Sequence, residues 1–289
     1  MSDDIPLLVD PEWLAARLGE PDLVILDCST RLEPDPAGGP DRNIAERAEF
    51  LAAHIPGARF ADMVSELSDP AGAYPFTAPQ PEAFAAAVER LGVGPDSRVV
   101  LYASGNPWWA TRAWWVLRLY GFDRAGVLDG GFKAWRAAGL PVEAGEPAPS
   151  QPVRFPARPP RPLIATASDV LAAIGSDAGC VVNALPAARF RGEGATSLPR
   201  AGRIAGSISL PGAETIDPAT GKSLPLDVIE ARFRAAGLFD KPVIAYCGGG
   251  VTATWIAFLL ARMGGPEPLI YDHSLQEWTV DPSLPMATG

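Results

Sequence analysis

Residues 243–263 read VIAYCGGGVTATWIAFLLARM: four residues of strand character, a cysteine, three glycines, and then a long apolar run. β-Branched and aromatic residues that end at a glycine-rich turn predict a strand, a loop and then a helix. The same arrangement occurs at 99–119, VVLYASGNPWWATRAWWVLRL, with Tyr102 and Tyr246 lying 144 residues apart. Working outward, LVILD (23–27) pairs with CVVN (180–183), and AAHIPGARF (52–60) pairs with AGRIAGSIS (201–209). VLDGGFKAW (127–135) pairs with LIYDHSLQEW (269–278), which sets Trp135 and Trp278 143 residues apart. Amphipathic helical stretches near 11–18 and 167–174 precede the first of these pairs. The chain reads as a tandem duplication. Short strands alternate with helices in each half, which predicts an α/β fold: two mostly parallel sheets, each flanked by helices. Ligands of such folds sit beyond the carboxyl ends of the strands, so chemistry is expected after Ala103 or after Tyr246.

At 289 residues the chain is long enough for two domains. Its sharpest compositional break is PAPSQPVRFPARPPRP at 147–162, with seven prolines in sixteen residues. Proline fixes φ and removes amide donors, so this stretch reads as a semi-rigid extended linker. The expected division is 1–145, a linker at 146–162, and 163–289. The net charge of −10, without a basic stripe, argues against nucleic acid as a partner. The opening MSDDIPLL has no basic n-region, and the apolar run at 255–260 is far short of the about 20 residues a membrane helix needs. Neither a signal peptide nor membrane association is expected. Cys28, Cys180 and Cys247 are few, odd in number and widely spaced, which fits a reducing cytoplasm. They form no standard zinc spacing with His54 and His273, so neither a metal nor an organic cofactor is expected. Cys28 and Cys180 lie in apolar strands and read as core.

A cysteine beside an apolar strand is most often a small buried hydrophobe. Around Cys247, however, Gly248, Gly249 and Gly250 allow backbone N–H groups to turn inward as an anion-binding nest. The helix starting near Thr252 adds the positive end of its dipole. Such donors favour the thiolate, the nucleophilic form. The residues alone leave the buried-thiol and nucleophile readings both open. A cysteine-based phosphatase, the other chemistry built on such a loop, needs an arginine six residues after the cysteine. Position 253 is Ala, which argues against it.

CGGGVTA at 247–253, HIPGA at 54–58, RFRG at 189–192 and VLDGGFKAW, in tandem halves and in that family's order, resemble the rhodanese/mercaptopyruvate sulfurtransferase family over nearly the whole chain. The resemblance implies transfer of sulfane sulfur from a small anionic donor to a thiol or cyanide through a persulfide on Cys247. The amides of Gly248, Gly249, Gly250, Val251 and Thr252 would then stabilise the sulfur anion. Ala103 holds the equivalent position in the first half, which is therefore expected to be non-catalytic, packing against the second half and walling the site.

Thiosulfate-preferring relatives resemble CRKGVT and mercaptopyruvate-preferring ones CGSGVT, so the uncharged loop here favours 3-mercaptopyruvate, with thiosulfate as the alternative. Arg189 matches a substrate-binding arginine, and Arg200 lies near the place of a second. A planar guanidinium suits a carboxylate; Arg191 reads as a solvated charge. The pattern also departs from the family. Gly249 stands where a serine is usual, and residues 60–79 contain no histidine for a relay with it. Asn183, Leu185 and Arg203 replace Asp, Arg and His, and His273 replaces Gly. His273 reads as a packing or surface residue, or else as a titrating group near the site, and His54 as structural. Trp108, Trp109, Trp114 and Trp115 read chiefly as packing, with Trp108 and Trp109 alternatively lining a cleft that faces Cys247. These departures keep a third reading in view, a non-catalytic sulfur carrier or interaction module.

Overall fold

The computed structural model describes residues 5–36, 41–174, 176 and 179–289; the opening MSDD read above lies outside them. In the first half follow β1 (Leu8–Val9), α1 (Pro11–Ala15), β2 (Leu23–Asp27), β3 (Thr30–Glu33), β4 (Arg42–Ala45), α2 (Arg47–Ala52) and β5 (Arg59–Phe60). Then come α3 (Pro81–Arg90), β6 (Arg98–Tyr102), α4 (Trp108–Leu119), β7 (Ala125–Leu128) and α5 (Gly131–Ala137). The second half has β8 (Ile164–Ala165), α6 (Ala167–Ile174), β9 (Cys180–Asn183), α7 (Ala187–Phe190), β10 (Arg203–Ile204) and β11 (Ile208–Ser209). A short 3-10 turn (Gly212–Thr215) leads to α8 (Leu226–Ala235), β12 (Val243–Tyr246), α9 (Ala253–Arg262), β13 (Leu269–Tyr271), α10 (Ser274–Trp278) and β14 (Met286–Ala287). Helix α1 is shorter than the pattern at 11–18 predicts; the chain turns through residues 16–19, with Gly19 in the left-handed region.

Five strands of each half form a wholly parallel sheet, ordered β1-β7-β6-β2-β5 and β8-β13-β12-β9-β11. Each position in one order is the repeat partner of the same position in the other. The duplication extends to single hydrogen bonds. The Tyr102 hydroxyl accepts the Ile55 amide at 3.3 Å, and the Tyr246 hydroxyl accepts that of Ile204 at 3.1 Å. The indole of Trp135 donates to Pro141 O at 2.7 Å, and that of Trp278 to Pro285 O at 3.1 Å. His54 is buried and stacks on Phe50 with ring centroids 4.1 Å apart, a structural role in its turn.

The two halves share one apolar core. Helices α4 and α9, each buried on nearly every side, pack against one another. Trp114 meets Phe258 edge-on at 5.1 Å, and the hydroxyls of Thr111 and Thr254 bond at 3.0 Å. A helix buried all round loses the polar face of a surface helix, which explains the apolar runs at both places. The first half also carries an antiparallel hairpin, β3–β4, that projects beyond its sheet. Residues 146–162 form neither helix nor strand, and Phe155 within them is buried against Phe84 and Phe122 of the first half. Among the described residues, no helix is long and apolar enough to cross a membrane.

Candidate active site

Cys247 is the first residue past β12, at the carboxyl end of the second sheet, and is 2% exposed. A cleft of about 830 Å³ between the halves reaches it. Cys247, Gly248, Gly249, Val251 and Thr252 line one side, and Tyr74, Phe76, Trp108, Trp109 and the β3–β4 hairpin line the other. Trp108 and Trp109 thus face the cleft, whereas Trp114 and Trp115 are buried in the interface. Trp109 packs on Phe76, ring centroids 4.9 Å apart.

The loop is shaped from below. Ser274, itself in the left-handed region, accepts the amides of Cys247 and Gly250 on its Oγ at 3.0 and 3.1 Å, and donates to Tyr271 O at 2.7 Å. Gly250 has φ +73°, and a Cβ there would lie 2.2 Å from the Asp272 carbonyl oxygen, so glycine is required. The amides of Gly248, Gly249, Val251 and Thr252 have no protein acceptor among the described residues. They and the start of α9 form a ready anion nest. Gly250, expected among these donors, differs: Ser274 holds its N–H.

Beneath the loop lies a charge that the sequence did not point to. Arg112 of α4, fully buried, donates to Asp272 Oδ1 at 2.6 Å, to Gly250 O at 3.2 Å and to Phe76 O at 2.5 Å. Asp272 Oδ2 accepts the Ala78 amide at 2.9 Å. One helix of the first half therefore fixes the cysteine loop of the second. The tryptophans on either side in WWATRAWW hid this arginine; the lone cation inside that run was the only signal.

Arg189 and Arg200 both line the cleft. Arg189, on α7, gives one Nη to Ala195 O, and among the described residues the rest of its fork has no protein partner. Arg200 corrects the expectation of a second substrate arginine. Its guanidinium donates to the carbonyls of Thr279, Leu284, Trp278 and Asp281 at 3.0, 2.8, 2.6 and 2.5 Å. With four of five donors so held, it fastens the C-terminal segment and has no open bidentate fork. Arg191 pairs with Glu193 on the surface. His273 is outside the cleft lining, with Nε2 3.3 Å from Thr77 Oγ1 and its ring against Tyr74, a packing residue between the halves.

In the first half the equivalent loop presents Ala103 and Ser104, whose hydroxyl donates to Glu46 at 2.7 Å. Burial raises the carboxyl of Asp27, and burial with that charge nearby pushes the Cys28 thiol well up. Asn183 holds the corresponding place in the second half, opposite Tyr246 as Asp27 is opposite Tyr102. Its Oδ1 accepts the Leu185 amide at 2.8 Å as Asp27 Oδ1 accepts that of Ser29, but without a buried charge. Cys180 is half-buried, which raises its thiol too.

A family model described as rhodanese-like domain matches residues 10–138 and again 166–281. The chain belongs to the rhodanese-like family. Over 98% of each chain it is 39% identical to a probable 3-mercaptopyruvate sulfurtransferase of Pseudomonas aeruginosa. It is 34% identical to a thiosulfate sulfurtransferase of Gallus gallus, covering 94% of this chain and 92% of that one. The crystal structure of SseA from Escherichia coli, a 3-mercaptopyruvate sulfotransferase, superposes with a TM-score of 0.80 at 32% identity, covering 93% of this chain and 99% of that one. Both rhodanese-like halves, with their parallel sheets and flanking helices, agree with the duplication read above.

Proposed function

We propose that this protein is a sulfurtransferase in which Cys247 carries sulfane sulfur from 3-mercaptopyruvate to a thiol or cyanide. The second half, 163–289, is catalytic and the first, 1–145, is its wall. The observation that carries the reading is Cys247 at the floor of the cleft, beside four loop amides with no protein acceptor among the described residues. The Cys247 thiolate attacks the donor sulfur, and the carbon–sulfur bond breaks with its electron pair going to carbon. That carbon takes the thiol proton, so pyruvate leaves and the outer sulfur stays on Cys247 as a persulfide anion. An acceptor thiolate or cyanide then attacks the outer sulfur, and Cys247 returns as thiolate. The amides of Gly248, Gly249, Val251 and Thr252 hold the sulfur anion. Arg189 meets the donor carboxylate, and Arg200 contributes charge to the cleft wall rather than a bond.

Mercaptopyruvate is favoured over thiosulfate because no lysine or arginine stands in the loop for a second negative charge. Three unpaired thiols fit a reducing, cytoplasmic setting. The test is steady-state sulfur release from both donors, with cyanide or a small thiol as acceptor. Cys247→Ser is expected to abolish turnover while Cys28→Ser and Cys180→Ser retain it. A kcat/KM about tenfold higher for mercaptopyruvate, about 1.4 kcal/mol of transition-state preference, is expected. A thiosulfate preference overturns the choice of donor, and no turnover of either with an alkylatable Cys247 points to a carrier.

A further inference from the structure

Gly249 and Gln276 form a matched pair. A Cβ built on Gly249 would meet the Gln276 carboxamide, 2.7 Å from Oε1, 2.9 Å from Cδ and 3.0 Å from Nε2. At neighbouring Gly248 the same atom would meet nothing within 4 Å. The absent side chain at 249 is therefore the space that the Gln276 carboxamide fills. The backbone fixes it there: Gln276 N donates to Gly248 O at 2.9 Å, and Leu275 N to Cys247 O at 3.3 Å, tying α10 to the cysteine loop. Gln276 lines the same cleft as Cys247. Among the described residues its Oε1 is buried and accepts no hydrogen bond, whereas Nε2, also without a partner there, is not buried and is left to the cleft. An oxygen of an anion cannot satisfy that buried acceptor, so the group available to a ligand is the Nε2 donor, which an oxygen in the cleft would pair.

We infer that the Gln276 carboxamide is a substrate-binding group that donates from Nε2 to an oxygen of the anionic donor held over Cys247. The inference rests on the sulfurtransferase reading above and supplies the uncharged specificity contact of that site. A primary amide offers donors and an acceptor without charge and can turn over to present either. It therefore binds a carboxylate or a ketone oxygen without adding a cation to the loop. Arg189 then takes the charge of the donor, and Gln276 takes its orientation.

Three variants separate this from space-filling, read by kcat and KM with 3-mercaptopyruvate and by Cys247 alkylation with neutral iodoacetamide. Gln276→Ala and Gln276→Leu are both expected to lower kcat/KM about tenfold, the loss of one hydrogen bond. Leu keeps bulk over Gly249 but has no donor. Gln276→Glu keeps the shape and faces an anion with an anion, so kcat/KM is expected to fall about a hundredfold. Iodoacetamide alkylation is expected to stay within about twofold of wild type in Gln276→Ala and Gln276→Leu, which add no charge beside the thiol. Wild-type activity in Gln276→Leu with a loss in Gln276→Ala means packing alone and overturns the inference. So does full activity in Gln276→Glu. An inactive wild type whose Cys247 still alkylates overturns the sulfurtransferase reading first, and this inference with it.

Discussion

Replacing Arg112 with Met removes the cation that joins the two halves beneath the cysteine loop. Its side chain is 0% exposed and that of Asp272 is 5% exposed. The change deletes the 2.6 Å bond to Asp272 and leaves the Gly250 and Phe76 carbonyls without this donor. Asp272 keeps one donor, the Ala78 amide, for a carboxylate that stays buried. Breaking a buried pair from one side costs about 3–5 kcal/mol, because the remaining charge is uncompensated. With a urea slope of about 3 kcal/mol/M, the midpoint should fall by about 1–1.7 M. Urea unfolding followed by tryptophan fluorescence reads this directly, since Trp114 and Trp115 sit in the interface. Adding Asp272→Asn removes the stranded charge and should recover at least half of the loss. Sulfur transfer should fall more than stability does, as Gly250 is freed to move. A single variant that loses less than about 1 kcal/mol, or a double variant no better than the single one, refutes the reasoning.

Gly250→Ala should lower kcat/KM and the melting temperature together, because its Cβ meets the Asp272 carbonyl at 2.2 Å and its φ is +73°. Gly248→Ala, with open space around it, should do neither; equal effects in a side-by-side assay count against the loop geometry. Arg189→Leu should raise KM for an anionic donor about tenfold or more, whereas Arg191→Leu, paired with Glu193, should leave KM within about twofold. Asp27→Asn should stabilise the protein at pH 7. Burial raises the folded-state pKa of Asp27, so folding favours its protonated form, and that contribution is full below the ordinary carboxylate pKa and lost as pH rises through the folded value. The variant makes the same uncharged contact that Asn183 makes in the second half, and its advantage in urea midpoint should shrink as pH falls towards 4. An advantage that grows on acidification contradicts this account.

The duplication, the parallel sheets and the cysteine loop were legible in the sequence because they are written locally. A strand of β-branched residues, three glycines and an apolar run fix one strand–loop–helix unit whatever surrounds it. The same unit recurring 144 residues away specifies the second sheet. What each polar side chain does is not local. Arg112 drew no notice in the sequence and Arg200 read as a second substrate arginine, yet one is buried under a loop 138 residues away in the chain and the other is closed over by four carbonyls. Gly250 looks like any glycine of the nest until Ser274, 24 residues on, takes its amide. Gln276 gains meaning only when Gly249 lies beneath it. Backbone pattern depends on neighbours in sequence, whereas hydrogen-bond partners and burial depend on which surfaces the packed halves bring together. The sequence by itself determined the frame and the place of Cys247 in it, and the tertiary structure decided which arginine is left open to the cleft, which holds the frame, and which neutral group packs on the cysteine loop.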